Sequence, residues 1–144
     1  MPAKLVASWV FIDTTQAQQF RLGWLAAEER KIYVVNKRSH ALLSELKRRL
    51  GRRLLAQAAG ICVVHGPGAF SAVRSGVLTA NLLARLYSKP LVSISVDAAA
   101  DSERLTQELI LGARQPVSYV QPTYLSEPNL TLSSYVAPYQ TSST

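Results

Sequence analysis

Apolar and polar positions along the chain switch between two periods, and the switches mark out the elements. Leu5 to Asp13 is an apolar run that stops at an acidic residue followed by the polar pair Thr14-Thr15, and it predicts a first strand. From Gln19 to Ala26, Phe20, Leu22, Trp24 and Ala26 alternate against Gln19, Arg21, Gly23 and Leu25, which predicts a second strand, and Lys31 to Asn36 predicts a third. Connections this short favour two successive antiparallel hairpins. Ser39 is placed to cap a helix with Leu43, Leu46 and Leu50 on one stripe and Gly51 as its stop, and a short basic segment follows.

The next block is the most informative. Ile61 to Val64 reads as a buried strand, Gly66-Pro67-Gly68 as a turn, and Phe70 onward as a helix. Pro90 to Val96 predicts a fifth strand. A last helix lies within Asp97 to Leu111, closed by Gly112. The order β-β-β-α-β-α-β-α predicts an α/β fold with a mixed five-stranded sheet, its last two strands parallel and joined by right-handed crossovers. The domain is expected to occupy residues 1–112. Residues 113–144, with Pro116, Pro122, Pro128 and Pro138, four tyrosines and a Ser/Thr-rich end, are expected to form an extended tail across the domain that frays after Ala137, with Val117 to Val120 its one candidate for a short strand.

Along the helix after the turn, Ala72, Gly76, Ala80 and Ala84 recur every four residues and make a narrow strip of small side chains. Glycine inside a helix costs about 1 kcal/mol relative to alanine, so Gly76 points to a close approach by another element. Spacing alone leaves open whether that element is the domain's own sheet or a partner's helix, since Val73, Val77 and Leu83 offer a second apolar surface.

A chain of 144 residues with 48% hydrophobic content fits one globular domain. Its apolar runs are far shorter than the ~18 residues a membrane span needs, and the N-terminus lacks a convincing signal-peptide cleavage site, so no membrane association and a cytoplasmic location are expected. The net charge of +7 owes much to Lys47, Arg48, Arg49, Arg52 and Arg53. A basic run beside an amphipathic helix is first of all a solvated face, and residues 41–59 contain no aromatic for base stacking; RNA binding there would be salt-sensitive and poor in sequence preference.

Catalytic chemistry has few carriers. Cys62 falls in a predicted buried strand and reads as an inert core thiol. His40 and His65 are the only histidines and show no metal-ligand spacing, so no metal is expected. Asp13, His65 and Ser71 make a hydrolase-like trio conceivable, although a triad is recognised by geometry, not inventory. The turn is neither a Walker-type nor a dinucleotide fingerprint. Gly66, Gly68, Ala69 and Phe70 nevertheless open a helix N-terminus, where backbone N–H groups attract anions and Arg74 could reinforce the charge; a plain strand-to-helix connection is the alternative.

Three blocks carry a resemblance: Phe11-Ile12-Asp13-Thr14-Thr15, Arg38-Ser39-His40-Ala41-Leu42-Leu43, and Gly66-Pro67-Gly68-Ala69-Phe70-Ser71-Ala72-Val73-Arg74-Ser75-Gly76. With the strand Pro90 to Ser95 and the Gln121 to Pro128 segment, they resemble the TsaB (YeaZ) family of tRNA-modification proteins. The resemblance implies a ribonuclease-H-like lobe of the actin-like ATPase (ASKHA) superfamily. It also implies a non-catalytic subunit for tRNA N6-threonylcarbamoyladenosine modification that pairs through helices with TsaD or with a second copy, joined by a TsaE-type ATPase, with tRNA contacted only indirectly. By position, the implied interface is Leu43, Leu46, Leu50, Val73, Gly76, Val77, Ala80 and Ala84, which favours the partner helix for the small strip. Two departures stand out. The second lobe usual between the fifth strand and the Pro-x-Tyr-Leu ending is missing, and Ala69, Ser71 and Ala72 stand where Ser, Thr and Gly are usual. One lobe cannot close a cleft around ATP, so no cofactor is expected; a phosphate-recognising enzyme and a basic RNA-binding module are the alternatives.

Overall fold

The structure is a computed structural model that describes residues 8–124. Five strands, β1 (Trp9–Asp13), β2 (Phe20–Leu25), β3 (Arg30–Val35), β4 (Gly60–Gly66) and β5 (Leu91–Ser95), form one sheet in the order β3-β2-β1-β4-β5. β1, β2 and β3 pair as antiparallel hairpins. β4 inserts parallel to β1, and β5 lies parallel to β4. This is the mixed sheet that the apolar patterning predicts. It is central because β1 and β4 are buried along nearly their whole length, as near-continuous apolar runs require.

Helices cover both faces. A short 3₁₀ turn (Ser39–Ala41) leads into α1 (Leu42–Arg49), which is followed by α2 (Gly51–Gln57); α3 (Phe70–Leu86) connects β4 to β5; α4 (Val96–Ala99) and α5 (Ser102–Ile110) follow β5. Alternation along the strands divides the core. Val10, Ile12, Leu22, Ile61 and Val63 meet Leu42, Leu46 and Leu55 from the first two helices and Val73, Val77 and Ala80 from α3. On the opposite face Phe11, Cys62, Val64 and Ile94 meet Ala99, Leu105 and Leu109. Among the described residues no helix is long and apolar enough to cross a membrane.

Two local expectations need correction. Ser39 makes no capping hydrogen bond; the chain enters α1 through the 3₁₀ turn, with Arg38 as the extended residue before it. The basic segment after Leu50 is helical. Gly51 takes a positive φ of 80°, which ends α1, but the chain re-enters helical geometry at once because Leu55 has a place in the core.

Residues 113–124 lie across the domain. The Val117 N–H donates to the Leu91 carbonyl at 2.7 Å, and the Thr123 N–H donates to the His65 carbonyl at 2.7 Å. Between them Val120 is buried, and Asn81 of α3 clamps it by donating to its carbonyl and accepting from its N–H, each at 3.0 Å. The rest of the expected tail, including the fraying point at Ala137, lies outside the described residues, as do Leu5 to Ala7 of the first predicted strand.

The small strip of α3 faces inward. The Thr14 hydroxyl donates to the Ala72 carbonyl at 2.6 Å, and a Cβ on Gly76 would overlap the Thr14 side chain. Glycine therefore lets α3 lie against the end of β1. Gly76→Ala is expected to lower stability by about 1–3 kcal/mol through overpacking despite its better helix propensity. In a Thr14→Ala background the same change should cost measurably less. Urea denaturation of the two single variants and the double variant tests this coupling.

Candidate functional site

Three places in the fold bring together residues singled out in the sequence. The first is the turn between β4 and α3. Gly66 has a φ of 122°, and a Cβ there would overlap the Thr123 carbonyl. Gly68 is pressed against Thr15 and Val73 and is bridged to Tyr124, while the Ala69 N–H donates to the Thr15 carbonyl at 3.0 Å. The Phe70 ring lies 4.5 Å from that of Tyr124, centroid to centroid. Thr15 and Thr123 pack against Gly68 and Gly66, and one of the expected donors, the Ala69 N–H, is already used, while Ala69, Phe70, Ser71 and Ala72 line a cavity of about 400 Å³ with Arg38 and His40. Arg74 is exposed further along α3. The turn is a packing joint at Gly66 and Gly68 and leaves the start of α3 open on the side of Arg38 and His40.

Nor does the conceivable trio assemble. Asp13 accepts from the Thr15 N–H (3.0 Å) and hydroxyl (2.7 Å) and pairs with the Arg21 guanidinium at 2.7 Å. His65 Nδ1 lies 3.3 Å from the Thr123 hydroxyl. Asp13 and His65 are each engaged with neighbours of their own, although β1 and β4 are adjacent and parallel as the trio requires. Among the described residues no group of three or more His, Cys, Asp or Glu side chains could hold a metal ion. Cys62 is buried, and burial pushes its thiol up to about 12, so the nucleophilic thiolate is suppressed. Native protein is expected to leave Cys62 unmodified by a thiol-specific reagent at pH 8 and to react stoichiometrically after denaturation, as read by absorbance.

The second place is the outer surface of the helices, where the expected interface needs correction. Leu46, Leu50, Val73, Gly76, Val77, Ala80 and Ala84 are all buried in the chain's own core; of the eight residues only Leu43 is exposed, at 49%. The small strip answers the demand of the sheet, so it cannot also meet a partner. Rotated by half a turn from it, Leu78, Leu82 and Leu86 form an outward ladder at 54%, 61% and 73% exposure. Beside the ladder a groove of about 370 Å³ runs between α3 and residues 117–119, with Arg85 and Lys89 at its rim. The four-residue spacing of these leucines was present in the sequence and is the signal that would have found them.

The third place is the start of α1. Glu45 is buried, yet it accepts from Lys37 at 2.7 Å, Arg49 at 2.8 Å and Arg48 at 2.9 Å. The hydrogen bond from Lys37, then that from Arg49 and then that from Arg48 hold its carboxyl down at about 2, against an ordinary 4.5. The Arg49 guanidinium also lies 4.9 Å from the centre of the Tyr33 ring, and the Lys31 ammonium 5.4 Å. A carboxyl depressed by folding stabilises the fold above its unfolded pKa, and that contribution disappears as pH falls through its folded value. Stability should therefore decline between about pH 4.5 and 2. Glu45→Gln, less stable at pH 7, should show a flatter decline across that window in denaturant titrations.

With this geometry in view, the likeness to known proteins can be placed. YeaZ from Pseudomonas aeruginosa superposes with a TM-score of 0.54 at 22% identity, covering 61% of this chain and 44% of that one. A protein described as uncharacterised, with similarity to peptidase YeaZ from Pseudomonas aeruginosa, superposes with a TM-score of 0.56 at 20% identity, covering 65% of this chain and 47% of that one. The chain thus spans less than half the length of these relatives, and it shares their ribonuclease-H-like fold. No curated protein matches it in sequence. The family model described as "TsaD: tRNA N6-adenosine threonylcarbamoyltransferase" matches residues 41–121, more than half of the chain and the stretch that carries α1 to α5. The chain therefore belongs to the TsaD family, in the form of a single YeaZ-like lobe.

Proposed function

We propose that this protein is a non-catalytic subunit in tRNA N6-threonylcarbamoyladenosine modification, and that it docks a TsaD-type subunit through the outward face of α3. Family membership supports the pathway, and the exposed leucine ladder carries the docking role. Leu78, Leu82 and Leu86 form a contiguous apolar stripe beside a groove, on a helix whose opposite side is already anchored in the core. At the turn Gly66 and Gly68 are packed against Thr123 and Thr15 and the Ala69 N–H is already bonded, so the apolar helix face is the better-supported docking site.

Charge favours a different subunit over a second copy. α3 carries Arg74 and Arg85 and no acidic residue, and Lys89 follows just after it. Two copies meeting face to face through this surface would bring like charges together, whereas a partner with an acidic rim would be attracted. A TsaE-type ATPase and a cytoplasmic location belong to the same reading.

Leu82→Arg alters an exposed residue and should change stability by no more than about 0.5 kcal/mol. It should weaken capture of a TsaD-type subunit at least about tenfold if the leucine lies at the centre of the interface. Size-exclusion chromatography with light scattering, on the protein alone and with that subunit, tests the proposal. Equal capture by the wild type and Leu82→Arg would reject the α3 face as the dock.

A further inference from the structure

The charge of this protein is concentrated in one stretch. Residues 30–53 hold nine of its sixteen Lys and Arg residues and a single carboxylate, Glu45, giving +8; because the whole chain carries +7, the rest sums to −1. Every one of these cations except Arg49 is exposed. They lie on the edge strand β3, the following loop and the helices α1 and α2; Arg30 lines a cavity with Glu103 and Ile110 on the α5 side of the sheet, which leaves eight for the β3–α1–α2 surface.

The fold places part of this charge deliberately close together. Lys37, Arg48 and Arg49 converge on Glu45 within 2.9 Å, and Arg49 and Lys31 both approach the Tyr33 ring, which in turn meets Trp24 edge-on at 6.4 Å. Three cations around one carboxylate leave two positive charges uncompensated. Glu45 acts as a hub that holds mutually repelling groups in a fixed arrangement, so their ordering is accomplished before any ligand arrives. A solvated face maintained for solubility alone needs no such hub.

We infer that the β3–α1–α2 surface of this protein binds the phosphate backbone of a folded RNA directly. Five of these eight cations are arginines, whose forked donors match phosphate oxygens. The Tyr33 ring is already approached by Lys31 and Arg49, so it props up the cations and does not offer an open platform for a base. Binding through this surface is therefore strongly salt-dependent and nearly indifferent to sequence. The choice of RNA rests on the tRNA-modification reading given above; the presence of an anion-binding surface does not.

The test uses an unmodified tRNA transcript labelled for fluorescence anisotropy and titrated at several salt concentrations with the protein alone. Lys31→Gln, Arg52→Gln and Arg53→Gln are combined in one variant, since these exposed side chains make no ion pair with Glu45. The control variant removes the same charge elsewhere, as Arg74→Gln, Arg85→Gln and Lys89→Gln. The inference expects the first variant to bind about tenfold or more weakly, with its log–log salt slope reduced by about 2, and the control to stay within about threefold of wild type. It is overturned if wild type fails to bind, if both variants lose affinity equally, or if polyglutamate competes as well as RNA, which would mark a dock for acidic protein. Loss of RNA binding with intact capture of a TsaD-type subunit, or the reverse, separates this surface from the α3 interface.

Discussion

The close approach of α3 to the end of β1 decides what this protein can show to others. A seventeen-residue helix has several faces, and only one can be spent on the sheet. Thr14 fixes the choice. Its hydroxyl bonds the Ala72 carbonyl and its bulk leaves room for nothing larger than hydrogen at position 76. Once the strip of small residues is turned inward, the leucines two positions further along must face outward. Exposure of that ladder is thus a geometric consequence of how tightly the core closes.

A second division runs between apolar and charged surfaces. The outward face of α3 combines leucines with a few cations, whereas the surface of β3, α1 and α2 is dense in cations organised by one buried carboxylate. Burying a carboxylate is costly unless partners satisfy it, and Glu45 has three. One small lobe thus carries two surfaces of different chemistry, one apolar and one cationic.

Much of the fold was legible in the chain because strand patterning survives burial: alternation in β2 and the unbroken apolar runs of β1 and β4 give both the strands and their positions in the sheet. Helix details were less legible. Gly51 satisfies the ordinary signature of a helix end and does end one, but nothing local announces that Leu55 will draw the chain into a second helix. The inward turn of the small strip was hidden for a related reason. A four-residue spacing of small side chains reports that something comes close without reporting what, and the deciding neighbour, Thr14, is 58 positions away from the carbonyl it bonds. The basic cluster was visible in composition, while its aromatic neighbours were not, because Tyr33 reaches Arg49 only through the packing of α1 against the sheet, and meets Trp24 only through the pairing of β2 with β3.

The double hydrogen bond between Asn81 and Val120 has a consequence for the groove beside α3. Because both backbone groups of Val120 are taken by one side chain of that helix, and its own side chain fills a hole in the core, the extended segment cannot peel away without leaving two amide groups and a void unattended. The groove accordingly has one helical wall and one extended wall that travel as a single body. A visiting surface meets a finished mould there, and the entropy of shaping it was spent when the chain folded.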